Sequence, residues 1–67
     1  MGFGYYHEKY KKMMIDELVQ EYINILTRID KGVWANEEER KEVVSQYHAV
    51  NAVMASRFVD TLETYLR

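Results

Sequence analysis

The chain contains no cysteine and no proline. Without cysteine, disulfides and thiolate metal sites are excluded. Without proline, no residue forces an internal helix break by removing a backbone donor. Glycine is almost as scarce. Gly2, Gly4 and Gly32 form no phosphate-cradling loop. No apolar run approaches the roughly 20 residues that a membrane span needs. Net charge is only −2, which exerts no strong pull toward nucleic acid or anionic lipid. Tyr5, Tyr6, His7, Glu8 and Lys9 stand where a secretory segment would be apolar. The expected location is therefore cytoplasmic, with no membrane association.

What remains is a helix-forming chain of 67 residues, 48% hydrophobic, too apolar for disorder. Its punctuation sits near the centre, at Gly32, Val33, Trp34, Ala35 and Asn36. Gly32 suits the left-handed residue after a helix end. Asn36 suits an N-cap, with its side chain accepting the amide near Glu38 or Glu39. Glu37, Glu38 and Glu39 complement the positive helix start. The chain thus reads as all-α: a loose tail over 1–4, helix 1 over about 5–31, a turn over 32–36, and helix 2 over about 37–66. A connection this short predicts an antiparallel helical hairpin.

Ile15, Val19, Tyr22, Leu26, Ile29 and Val33 recur at spacings of four and three, the seam of an amphipathic helix. Met14, Leu18 and Ile25 widen it. In helix 2 the seam is Val44, Tyr47, Asn51, Met54, Phe58 and Tyr65, flanked by Val43, Val50, Ala55 and Leu62. Folding about Trp34 sets Leu26 level with Val43, Tyr22 with Tyr47, Leu18 with Asn51 and Ile15 with Met54. The faces are too wide for one neighbour, and a chain this short carries a core worth only about 3–5 kcal/mol. Pairing into a dimeric four-helix bundle follows. The expected oligomer interface is Ile15, Leu18, Val19, Tyr22, Leu26, Tyr47, Asn51, Met54 and Phe58. Asn51 reads either as a satisfied polar core residue, as a device that fixes dimer register, or as a ligand contact. Ala49, Ala52 and Val53 lie on the back of helix 2. There they are either plain helix formers or a second contact surface.

Tyr5, Tyr6 and Tyr10 are expected to meet Phe58, Tyr65 and Leu66 at the open end of the hairpin. Lys9 and Lys12 lie nearby. Tyr5, Tyr6, Tyr10, Lys9, Lys12 and Tyr65 are the candidate partner-binding residues, because aromatics mixed with cations suit a protein hot spot. The same mixture suits stacked bases and phosphates. A small nucleic-acid-binding dimer is therefore the alternative function. Glu17 and Glu21 lie one turn apart, as do Glu38 and Glu42, a spacing that lets carboxylates share a divalent cation. In this they resemble the paired acidic helices of MazG-type nucleotide pyrophosphohydrolases. That resemblance implies, as a distant alternative, a metal-dependent nucleotide hydrolase. The same acids also serve as ordinary solvated faces. His48 has no suitably placed nucleophile, and Ser45 and Ser56 have no oxyanion-hole loop.

In size and topology the expected hairpin is similar to Rop-type dimers, which bind RNA with one bundle face. The leading expectation is a non-enzymatic, cofactor-free homodimer that binds and modulates an unidentified protein.

Overall fold

The computed structural model describes residues 2–66. Met1 and Arg67, the first residue of the expected tail and a cation expected at the open end, lie outside the described residues. Among the described residues the chain is all helical, without strands. The helices are α1 (Phe3–Lys11), α2 (Ile15–Lys31) and α3 (Glu37–Leu66).

The ends of α2 carry the expected signals. Asp16 and Glu17 occupy its first turn and Arg28 and Lys31 its last, each sign opposing the helix dipole. Gly32 adopts φ 63° and ψ 23° and returns its amide to the Arg28 carbonyl at 3.2 Å. A side chain there would be strained, because Cβ crowds the carbonyl in the left-handed region. Four residues later, Asn36 caps α3 as its type suggests: the Glu39 amide donates to its Oδ1 at 2.9 Å. The Glu39 carboxylate accepts the Ala35 amide at 2.6 Å and the Arg28 guanidinium at 2.6 Å. Arg28 also sits 6.0 Å from the centre of the Trp34 ring. One acid thus ties the end of α2 to the start of α3.

Contacts climb α3 as the chain is followed back along α2. Arg28 meets Glu39, the Tyr22 and Tyr47 rings stack at 6.3 Å, and the Met13 carbonyl accepts from Arg57.

The expected single helix over 5–31 does not form. It is divided at Lys12, Met13 and Met14, and its first part begins at Phe3 rather than Tyr5. No glycine or proline marks this break. What stabilises it is tertiary. The Arg57 guanidinium donates to the carbonyl of Lys11, at 3.2 Å, which the end of α1 leaves unsatisfied, and to that of Met13 in the connection. The break lets α1 double back onto α3, where the Tyr6 hydroxyl donates to Glu42. Tyr6 and Tyr10 then join Leu18, Ile25, Val43, Ala49, Val50 and Val53 in one buried cluster. The small back of α3 at Ala49 and Val53 is therefore covered from within the chain.

Arg57→Ala removes the clamp on the freed carbonyls. A charged donor to a backbone oxygen is worth about 1.5–3 kcal/mol. Amide hydrogen exchange should rise throughout α1 and stay unchanged at the centre of α3. Undisturbed protection of α1 would show that packing alone holds the break.

Candidate protein-interaction surface

Doubling back has a cost at the other end of α3. Residues 5–12, expected to run beside its last turns, lie instead along the preceding part of α3, from Glu42 to Arg57 and Asp60. Phe58, Val59, Leu62, Tyr65 and Leu66 are left exposed on a helix without a neighbour. Tyr6 reaches Glu42, and 23 residues of continuous helix separate Glu42 from Tyr65, roughly 35 Å at 1.5 Å per residue. The expected gathering at one open end is corrected on two counts: Tyr6 is far from Tyr65, and Tyr10 lies in the buried cluster with Leu18, Val50 and Val53.

The candidate partner-binding residues divide accordingly. Tyr10 is 1% exposed and Tyr6 is buried, so neither offers a surface. Tyr5 and Lys9 share an exposed face of α1, and the exposed Lys12 follows at its C-cap. Tyr65 is 83% exposed and stands apart from them.

The two buried tyrosines are polar at their tips and find carboxylates there. Tyr6 donates to Glu42, and the Tyr10 hydroxyl lies 3.5 Å from Glu21 Oε1. Burial raises both phenols, with the facing carboxylate adding to the shift. The Tyr6 hydrogen bond in turn lowers Glu42. Glu21 and Glu42, each half of an expected cation-sharing pair, are therefore engaged by phenols. No group of three or more metal-ligating side chains occurs among the described residues.

A raised phenol contributes stability that is full below the unfolded tyrosine pKa of about 10. It is lost as pH climbs toward the folded value. Ultraviolet titration should show Tyr6 and Tyr10 ionising late, together with loss of helicity. Ionisation of Tyr6 and Tyr10 at the ordinary phenol pH with helicity retained would contradict their burial.

The expected interface residues also divide. Leu18 is 0% exposed and belongs to the core, as do Ile25, Val43 and Val50, which the heptad pattern set to one side. The inward face of α2 is therefore rotated by about one residue from the expected seam. Tyr22, Tyr47, Asn51 and Met54 are partly buried. Ile15 is 58% exposed and Phe58 64%, and Val19 and Leu26 are also exposed. Ile23 and Ile29 extend the same open strip.

These exposed groups form one face. On α3, Val44, Asn51 and Leu62 lie roughly 160° round the helix from Ala49 and Val53, at about 100° per residue. The open face is thus the side turned away from α1. At its end near the turn it deepens into an apolar groove of about 510 Å³ between α2 and α3, lined by Leu26, Ile29, Trp34, Val44 and Tyr47. Arg40 and the exposed His48 stand at its rim. Asn51 is the amide on this face. No buried side-chain nitrogen or oxygen among the described residues lacks a partner.

No family model, curated protein or solved structure matches the chain. Among the described residues no helix is long and apolar enough to cross a membrane. The surface itself therefore carries the functional reading.

Proposed function

We propose that the protein is a non-enzymatic interaction module that pairs with itself and in that form binds and modulates another protein. In this reading α2 and α3 form an antiparallel helical hairpin. Two hairpins pair into a four-helix bundle, with each α1 on the outside. The observation that supports it is the open apolar face of α2 and α3, uncharged from Ile15 to Ile29 on one helix and from Val44 to Leu66 on the other. Monomers rarely leave so large an apolar patch in water. The outward face of α1, with Tyr5, Lys9 and Lys12, stays free in such a pair and is the proposed site for the other protein.

Two variants test the reading. Val19→Glu with Leu26→Glu places carboxylates on the open face and leaves Leu18 and Ile25 in the core. Helicity should persist while self-association, followed by gel filtration, is lost. Tyr5→Ala with Lys9→Glu and Lys12→Glu should keep self-association and lose the captured protein. Self-association that survives the first variant counts against the reading.

A further inference from the structure

We infer that the occupant of the groove near the turn is the C-terminal end of α3 from a second copy, exchanged reciprocally across a two-fold axis. This rests on the self-pairing reading above and specifies its geometry. The chain carries two complementary unpartnered features at opposite ends of one helix. The groove flanked by Val44 and Tyr47 lies near the start of α3, and its last turns project with Phe58, Leu62 and Leu66 exposed. An antiparallel pair of α3 helices brings each end of one copy to the opposite end of the other, so both features are filled at once.

The register follows from length. The stripe of α3 that faces away from α1 begins at Arg40 and ends at Leu66. Pairing centred on residue 53 keeps the two stripes in contact throughout. It sets Leu62 of the second copy against Val44, Val59 against Tyr47, Phe58 against His48 and Leu66 against Arg40. A slip of one heptad, about two helical turns, in one direction leaves Val44 and Arg40 uncovered with only Leu66 reaching Tyr47, and in the other carries Leu66 past the start of α3 at Glu37. Charge agrees with this register. Between Val44 and Leu66 the stripe has no charged side chain, while Glu42, Arg57, Asp60 and Glu63 lie elsewhere around the helix. Asn51 falls beside the axis, opposite Ala55, where the two amides come close enough to bond each other and fix the register.

The chain has no cysteine of its own, so trapping is free of background. Val44→Cys and Leu62→Cys chains are prepared separately, mixed and mildly oxidised. Packed helices approach to 8–10 Å between axes, which brings facing Cβ atoms within disulfide reach. The expected product is the mixed Val44→Cys–Leu62→Cys disulfide, dominant over either symmetric one. A Leu62→Cys symmetric disulfide as the main product indicates parallel pairing and overturns the inference. Sedimentation of the reduced chains separates the levels of the claim. A dimer without the mixed disulfide overturns the exchange but not self-pairing, whereas a folded monomer overturns both.

Discussion

Leu62→Asp is expected to abolish self-association and leave the single chain folded. Leu62 lies on the projecting end of α3, beyond the point where Arg57 meets Met13. Nothing in the folded single chain depends on it. Leu62 is 42% exposed in the single chain, so across the paired face only that remainder would be buried against Val44, about 1 kcal/mol of the 1.5–3 kcal/mol for a whole leucine. Two-fold symmetry repeats the loss, so the pair loses roughly 1–3 kcal/mol before the desolvation of two carboxylates is added. At 1.4 kcal/mol per tenfold, lost burial alone raises the dissociation constant by about tenfold to a hundredfold, and the buried carboxylates raise it further. Concentration-dependent gel filtration reads the shift, with circular dichroism as the control for folding. A dimer of unchanged affinity would mean that the C-terminal turns of α3 lie outside the interface.

The second large effect lies one residue away from the open strip of α2. Leu18→Ala should cost about 2–5 kcal/mol, the range for a truncated buried leucine. Leu18 is 0% exposed and packs in the cluster that holds Tyr10, Val50 and Val53. A chain of this length has about 3–5 kcal/mol of net stability to lose. Leu18→Ala should therefore melt near or below ambient temperature. Val19→Ala, on the neighbouring open strip, should leave the single chain's melting point nearly unchanged and weaken pairing instead. Thermal melts at several concentrations distinguish the two: the Leu18 effect persists on dilution, and the Val19 effect does not. Equal and concentration-dependent losses for both would place Leu18 at the interface that the heptad spacing first suggested.

Local chemistry was legible wherever the sequence contained a residue with a single strong role. Gly32 had to end a helix and Asn36 had to begin one, and both do so with the expected hydrogen bonds. The level of Tyr22 with Tyr47 followed from the length of the turn. The break at Lys12 to Met14 was not legible, because no residue there disfavours a helix. It is stabilised by Arg57, 44 residues away in the chain, a tertiary effect that overrides local propensity. The meaning of Ala49 and Val53 was half visible. Small residues on a polar face pointed to another helix, but not that the helix was the chain's own α1.

Reassigning α1 also moved the candidate site. Tyr6 and Tyr10 had the aromatic character of a hot spot and proved to be core, with Glu42 and Glu21 receiving their hydroxyls. The surface they vacated, the last turns of α3, became the more informative one. Spacing alone could not separate the inner strip of α2, Leu18 and Ile25, from the outer strip, Val19 and Leu26. Both are apolar, and they differ by about 100° around one helix.

Sedimentation equilibrium of the unmodified chain over the micromolar range tests the central claim most directly. The account predicts a species of twice the 8.1 kDa chain mass, dissociating only on dilution. A fully helical monomer at every concentration would contradict it.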